Sequence, residues 1–512
     1  MKRHILKYII AILILTGTSC SDFDEINTNP NATTQVTSQM LASNMILAIT
    51  RSSISNQKTF LQPFILGKYI TWQEGGQESF QYNRLPRASF ERLELLSNIK
   101  PMIGYAETEK LANSYTALGH FIRAWQFFLT TMQLGDIPYS EAILGETEGV
   151  IKPKYNTQKQ VFQGILNELD LANELFAKGN DFGGDPIYNG DIDQWQRLAN
   201  SFQLYVLINL SKKSADKDLN IIEKFKIVAT RPLMRDANDN FALTFSDLDG
   251  QKYPWVNINS SNPSVIYPML TANLLNPLKD MKDRRLFYFA KPSSVQITAG
   301  KKVSDWDAYP AAEASAAFAS LQAMRASKDF TDLNDRYADL FNAEPVGLYT
   351  FWDLQFTMAE AAVRGWISES AKTFYEAGIS SSMNFIATKT PNNPKYNHEM
   401  PITDSYIAAY LPTVALKGTD EARIQQILSQ KYIAGFMHST NYSAWFDNRR
   451  TGYPKFILNS STNLNTPNTQ FPVRWLYPSN EINYNGENMS AAVTSQFAGN
   501  DNTNGVMWLL KE

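Results

Sequence analysis

The chain has 512 residues and a formal net charge of −3, and only 19% of its residues are charged. A slightly acidic chain offers no basic surface for a polyanion, so the composition argues against nucleic-acid binding. Aromatic residues make up 12% of the chain, a surplus that suits surfaces on which ring-shaped ligands stack.

The first 19 residues have the pattern of an export signal. Lys2, Arg3 and Lys7 precede an apolar run over residues 8–15, and four small residues follow it. This run is too short to span a bilayer, which takes a helix of roughly 20 residues. We therefore expect residues 1–19 to be a cleaved signal peptide.

The single cysteine of the chain, Cys20, directly follows these small residues. A lone cysteine in an exported chain forms no internal disulfide, and its position matches the acylated cysteine of a bacterial lipoprotein. We expect Cys20 to be lipidated, because several acyl chains together hold a protein stably on a membrane. Gly17 departs from the pattern, since Leu is usual three positions before such a cysteine. Residues 20–37 predict a lipidated, flexible tether, and residues 38–512 a single domain.

Helical periodicity dominates the remaining sequence. Apolar residues spaced three or four apart predict a long helix over residues 107–133, and Thr157 with Gln160 predicts a capping box before a helix that reaches Gly179. Further helices are predicted over residues 195–210, 221–229, 352–364, 372–385, 405–410 and 422–437. Short turns between these helices, with small residues where pairs would meet, are typical of tetratricopeptide units. The sequence therefore predicts a mainly α, helical-repeat scaffold, with Trp125, Trp195, Trp352 and Trp366 in its core.

Residues 233–309 and 388–403 interrupt the scaffold without helical periodicity. The first stretch is rich in aromatic residues, which argues against disorder and predicts an irregular, partly β-hairpin face. Glycan binding needs aromatic ring faces beside side chains that hydrogen-bond to hydroxyls. Loop aromatics that meet this need are Trp72, Tyr82, Tyr253, Trp255, Trp306 and Tyr309. Each has the alternative of packing over the helices, and Trp306 is the first choice because charged residues flank it.

Catalytic and metal-binding patterns are not found in the sequence. The four histidines lack metal-ligand spacing, and no nucleophile elbow, P-loop or dinucleotide fingerprint occurs. Asp236, Asn238 and Asn240 alternate like part of a calcium loop but lack its glycine and glutamate, so we expect a turn there and no cofactor. The carboxylate pair of a glycoside hydrolase is defined by separation in space, so that alternative stays open.

Four passages resemble the SusD/RagB family of nutrient-binding lipoproteins on the Bacteroidetes outer membrane, particularly its SusD-like members. They are DFDEINTNPN at residues 22–31, MAEAAVRGW at 358–366 with FYEAGISSSM at 374–383, QKYIAGF at 430–436 with AWFDNRRTGYP at 444–454, and RWLYPSNEINYN at 474–485. Their order and spacing cover nearly the whole chain after the leader.

The resemblance implies a non-catalytic, cell-surface protein that binds oligosaccharide for a SusC-like TonB-dependent transporter. It also implies about four tetratricopeptide-like helix pairs and an aromatic ligand platform on the opposite, irregular part. A RagB-like peptide-binding protein is the alternative within the family, and a surface glycoside hydrolase is a third interpretation. Residues of these passages that we expect to hold the fold together, and not to bind ligand, are Trp445, Arg449, Arg450, Arg474, Tyr477, Pro478 and Glu481.

Overall fold

The computed structural model describes residues 35–51, 54, 57–72, 78–256, 268–438 and 441–512. The leader, Cys20 and the first family passage lie outside the described residues. Helices of nine or more residues are α1 (Ser38–Arg51), α2 (Gln57–Leu66), α3 (Glu109–Leu134), α4 (Gln158–Phe176), α5 (Ile192–Asn209), α6 (Ile221–Ala229), α7 (Ala272–Asp280), α8 (Phe318–Ser327), α9 (Phe351–Val363), α10 (Ala371–Lys389), α11 (Asp420–Ala434), α12 (Ser443–Thr451) and α13 (Gly486–Phe497).

Shorter helical segments connect these helices. They are Glu78–Gln81, Glu91–Glu94, Leu95–Asn98, Ile99–Gly104, Gly145–Glu148, Ser211–Lys213, Ala237–Asp239, Leu286–Phe289, Ser294–Thr298, Trp306–Ala308, Arg336–Asp339, Pro394–Asn397, Asp404–Tyr410, Leu411–Val414, Ser479–Tyr484 and Trp508–Leu510. The strands are β1 (Ile70–Trp72), β2 (Ile137–Pro138), β3 (Tyr155–Asn156), β4 (Phe241–Leu243), β5 (Pro268–Leu270), β6 (Ala290–Lys291), β7 (Asp332–Leu333) and β8 (Val346–Tyr349). The mainly α fold class is thus confirmed.

Several scaffold helices, α3, α4, α5, α9 and α11, begin at side chains that cap their free backbone N–H groups. Thr108 accepts a hydrogen bond from the Leu111 amide at the start of α3. The capping box predicted from Thr157 and Gln160 is confirmed at the start of α4, and Thr350 forms a second one at α9. Local sequence therefore determines where these helices begin, and the predicted bounds agree with the observed ones to within a few residues.

Neighbouring helices pack against one another in the manner of tetratricopeptide units. α3 lies along α4, α4 against α5, α5 against α6, and α9 against both α10 and α11. A Cβ atom at Gly378 of α10 would lie only 2.8 Å from the Phe356 ring of α9, so this glycine permits the close approach of that pair. The four tryptophans predicted for the core are buried, and the Trp195 indole N–H donates to the Asp185 carboxylate at 2.8 Å.

A buried ion-pair network joins α9, α11 and α12. The Arg450 guanidinium donates to both carboxylate oxygens of Glu360, at 2.5 and 2.8 Å, and it also pairs with Asp447. Asp447 pairs in turn with Lys431 at 2.7 Å. Burial alone would raise the pKa of Glu360, but the neighbouring Arg450 charge outweighs it and lowers that pKa to about 2.

The other family-passage residues also bind the fold together, as predicted. Arg449 donates to the Val473 carbonyl at 2.7 Å, and Arg474 pairs with Asp501 at 2.8 Å. The Tyr477 hydroxyl donates to the Asp136 carbonyl at 2.7 Å. Trp445 packs edge-to-face against Trp475, and Glu481 accepts a hydrogen bond from the Tyr155 hydroxyl.

The described strands form two-stranded antiparallel ladders. β1 pairs with β5, β2 with β3, β4 with β8 and β6 with β7. β4, β5 and β6 belong to the irregular face over residues 233–309, and each pairs with a strand outside that stretch, so these strands join the irregular face to other parts of the chain and do not pair with one another as the predicted β-hairpins. β2 and β3 lie outside the irregular face and are close together in the sequence. The β1–β5 ladder places Trp72 opposite Pro268.

Candidate functional site

The structure separates the six predicted ligand aromatics into three groups, and five of the six side chains are buried. A ring needs an open face to stack on a sugar, so burial contradicts their expected exposure.

The first group is Trp72 and Tyr82. Trp72 lies in the β1–β5 ladder, and its backbone N–H donates to the Gln81 side chain. The Tyr82 hydroxyl donates to the Ala316 carbonyl at 2.8 Å. Residues 73–77, which contain the neighbouring polar positions, lie outside the described residues.

The second group is Tyr253 and Trp255. Tyr253 packs edge-on against Phe245, with ring centroids 5.2 Å apart, and stacks on Tyr337. Trp255 packs edge-on against Phe60 at 5.6 Å. Both side chains therefore belong to the hydrophobic core, because aromatic partners surround them and exclude solvent. Asn257 and Asn259, which the sequence places beside them, lie outside the described residues.

The third group is Trp306 and Tyr309. Tyr309 is buried, and its hydroxyl donates to the Val303 carbonyl at 2.6 Å. Trp306 is half-buried: its ring packs edge-on against Phe287 at 4.7 Å, and the Lys282 ammonium lies 5.2 Å from the ring centroid. Trp306 is therefore the one predicted aromatic with an accessible surface, and its ligand-binding role stays a prediction.

A cleft that the sequence did not indicate opens beside the second group. We call it the Phe245 cleft and define it by Arg51, Phe245, Asp249, Gln251, Lys252 and Tyr253; its volume is about 640 Å³. The cleft lies between the end of α1 and the chain that follows β4. Phe245 is half-buried, whereas Tyr253 behind it is buried, so Phe245 presents the accessible aromatic surface of the cleft.

Hydrogen bonds hold the polar rim of the Phe245 cleft in place. The Ser246 amide donates to the Gln251 carbonyl at 2.8 Å, which closes a turn, and Arg51 donates to the Gly250 carbonyl at 2.9 Å. The Lys252 ammonium lies 3.6 Å from the Asp249 carboxylate. Burial raises the pKa of the Tyr253 hydroxyl well above its usual value, so this hydroxyl stays protonated. The rim thus offers a guanidinium, an ammonium, an amide and a carboxylate next to one aromatic ring.

The sequence carries one local signal for this site. Phe245 is followed by SDLDGQK, an aromatic residue directly before a polar, glycine-containing turn. The helical and strand patterns on either side predicted no contact between this turn and Arg51. That contact joins residues 199 positions apart, and only the packing of α1 against β4 produces it.

Within the described ranges, no cluster of three or more His, Cys, Asp or Glu side chains is arranged to hold a metal ion. Asp236 accepts a hydrogen bond from the Asn238 amide at 2.8 Å, so the turn expected at this position is confirmed. No helix in the same ranges combines the length and apolar character that crossing a bilayer requires.

Comparison with known proteins places this geometry in a family. The family SusD-like_2, described as "Starch-binding associating with outer membrane", matches residues 30–478. A SusD homolog from Bacteroides fragilis is 40% identical, with a TM-score of 0.89, and the alignment covers 93% of this chain and 100% of the homolog. Another SusD homolog from the same species is 32% identical, with a TM-score of 0.81 and the same coverage. Among curated proteins, no sequence matches this chain significantly. The chain therefore belongs to the SusD-like family.

Proposed function

We propose that this protein is a lipid-anchored, cell-surface receptor that binds oligosaccharide in the Phe245 cleft and delivers it to a SusC-like TonB-dependent transporter. The observation that carries the binding assignment is the combination of an accessible Phe245 ring with a fixed polar rim. Family membership supports the same function, since the family description names both starch binding and the outer membrane.

The Phe245 cleft has the size and chemistry that a sugar segment needs. Its volume of about 640 Å³ lies within the range of ligand sites, roughly 300–1,000 Å³. A pyranose stacks its C–H face on an aromatic ring, and its hydroxyls take hydrogen bonds from side chains such as Arg51 and Gln251. Because Tyr253 packs edge-on behind Phe245, the aromatic surface is held in one orientation before ligand arrives.

The carboxylates near the Phe245 cleft favour binding over hydrolysis. Asp247 and Asp249 both lie near Lys252, at 3.5 and 3.6 Å. Both side chains are largely exposed, 72% and 105% of their reference areas. A glycosidase acid lies in surroundings of low polarity, whereas these two carboxylates lie on an exposed, polar surface.

Surface anchoring is supported by the sequence. Cys20 behind the export signal supplies the acylation site, and the polar tether over residues 20–37 separates the lipid from the folded domain. Mass spectrometry of the membrane fraction should find acylated Cys20, and a Cys20→Ser variant should be released from membranes.

Co-purification with a TonB-dependent barrel from the native host tests the transporter partner. Recovery of the protein alone after mild solubilisation would argue against this partner.

Calorimetric titration with a panel of starch, xylan, mannan and β-glucan oligosaccharides tests the binding site. We expect Phe245→Ala to weaken binding about three- to tenfold, in line with the energy of one aromatic contact. Gln251→Ala should weaken it by a similar factor through a lost hydrogen bond. Tyr484→Ala is the matched control, because this exposed aromatic lies outside the Phe245 cleft. Unchanged affinity in both cleft variants would refute the assignment.

A further inference from the structure

A second cleft forms where two asparagine-rich segments meet, residues 462–470 and 500–504. We call it the asparagine cleft and define it by Arg84, Leu464, Asn465, Gln470, Asn502 and Asn504; its volume is about 670 Å³. It shares no lining residue with the Phe245 cleft. It is therefore a separate concave surface on the same domain, and neither α3–α6 nor α9–α11 contributes to it.

The amide side chains of the asparagine cleft are fixed by one another. Asn465 is buried, and its amide nitrogen donates to the Asn504 side-chain oxygen at 2.8 Å and to the Gln470 carbonyl at 2.9 Å. Its own side-chain oxygen accepts from the Thr503 hydroxyl at 2.7 Å. Asn504 donates to the Thr466 carbonyl at 2.6 Å. These bonds join the two segments, so the surface is ordered before a ligand binds.

Three polar groups on the residues that define the asparagine cleft remain available. Among the residues that the structure describes, none forms a hydrogen bond with the Arg84 guanidinium, the Gln470 amide or the Asn502 amide nitrogen. The Asn502 oxygen, by contrast, accepts from the Asn504 backbone amide at 2.8 Å. A ligand hydroxyl is recognised by hydrogen-bond donors that have no protein partner and that lie on ordered backbone segments, and within the described part of the chain these groups meet both conditions.

The charge of the asparagine cleft disfavours a cation. Its one carboxylate, Asp501, is compensated by Arg474 at 2.8 Å and by Arg87 at 3.1 Å. Beyond this compensated group, the polar surface consists of neutral amides and the Arg84 guanidinium. Leu464 is 45% exposed and adds an apolar surface against which sugar C–H groups pack. The ligand class that fits is uncharged, rich in hydroxyls and partly apolar.

We propose that the asparagine cleft is a second glycan-binding site, which contacts a further stretch of the polysaccharide chain or a neighbouring chain. This proposal rests on the glycan-binding function proposed above. Two sites on one domain raise the avidity for a polymer that reaches both, whereas a short oligosaccharide occupies them independently. The asparagine cleft therefore increases affinity for long glycans more than for short ones.

Affinity electrophoresis in soluble starch, xylan, galactomannan and β-glucan tests the second site with the full domain. Gln470→Ala removes an exposed side-chain amide. Asn502→Asp keeps the side-chain oxygen that accepts from the Asn504 backbone amide, and it removes the side-chain N–H donor. We expect each to weaken polysaccharide binding about three- to tenfold. Gln163→Ala, an exposed glutamine of α4, is the matched control and should behave as wild type. In a Phe245→Ala background, Gln470→Ala should reduce the remaining binding further.

The outcomes separate this proposal from the function on which it rests. If Phe245→Ala weakens binding but Gln470→Ala and Asn502→Asp leave it unchanged in both backgrounds, the second site is refuted and the proposed function stands. If the wild-type protein retains no polysaccharide of the panel, both proposals fall. Gln470 is exposed, so we expect Gln470→Ala to fold as wild type. The binding of this variant therefore tests the second site even where Asn502→Asp impairs folding.

Discussion

Replacing Glu360 with Gln tests the buried ion-pair network that joins α9 to α12. The charged pair of Glu360 and Arg450 is 2% and 3% exposed, so loss of one charge leaves the other poorly solvated. The pKa of Glu360 falls from 4.5 to about 2 in the folded protein, and this difference corresponds to roughly 3 kcal/mol of folding free energy. In other proteins, removal of one partner from a buried ion pair lowers the free energy of unfolding by about 3–5 kcal/mol, which agrees with this value.

Urea unfolding of wild type and Glu360→Gln at several pH values measures this contribution. A carboxyl whose folded pKa is lowered stabilises the fold above its unfolded pKa, and the stabilisation is lost as pH falls through the folded value. The difference in free energy of unfolding between wild type and variant should therefore disappear as pH falls from about 4.5 to 2, because the variant lacks this pH dependence. We expect a loss of roughly 3 kcal/mol for the variant at pH 7.

Glu376→Gln is the control for the Glu360 experiment. Glu376 lies on α10, and its carboxylate is 3.7 Å from a largely exposed Lys372. An exposed pair of this kind contributes below about 1 kcal/mol, so the control should unfold almost as wild type. A loss for Glu360→Gln that is no larger than the loss for Glu376→Gln would refute the reasoning about burial.

Four further variants, one of them a control, test the account at other places. Trp306→Ala should weaken oligosaccharide binding less than Phe245→Ala in calorimetry, because Lys282 already lies over the Trp306 ring; an equal or larger effect would place the main site at Trp306. Burial raises the pKa of Asp136 from 3.8 to about 6, so the contribution of Asp136 to stability should fall as pH rises from about 4 to 6, and Asp136→Asn should remove this contribution from the pH dependence of denaturation curves. Gly190→Ala should destabilise the fold by several kcal/mol, since its φ is +83° and a Cβ would lie 1.8 Å from a carbonyl oxygen, whereas Gly365→Ala, with φ of +72° and open space, should cost only about 1 kcal/mol.

The helical scaffold could be predicted from the sequence because its signals are local. Apolar spacing and the cap at Thr157 specify α4 within one stretch of chain, and the same is true of α3 and α9. The sequence patterns predict no helix at α2 or α7, because each contains an internal proline, Pro63 or Pro277, which normally indicates a helix boundary. They also predict no helix at α1, α8, α12 or α13.

The candidate site could be predicted only in part, because exposure depends on contacts between distant segments. Tyr253 and Trp255 look like loop aromatics in the sequence, but Phe60 and Tyr337 from distant segments bury them. Phe245, eight positions before Tyr253, is the ring with the accessible surface. A sequence shows which aromatics lie in loops, whereas the packing of the loops decides which rings face solvent.

The most direct test of glycan recognition is calorimetric titration of the purified domain with oligosaccharides and, separately, with a matched peptide library. We predict saturable binding of at least one oligosaccharide, with no sugar release on prolonged incubation and weaker binding after Phe245→Ala. Binding of peptides alone, or release of reducing sugar by the purified protein, would contradict the account.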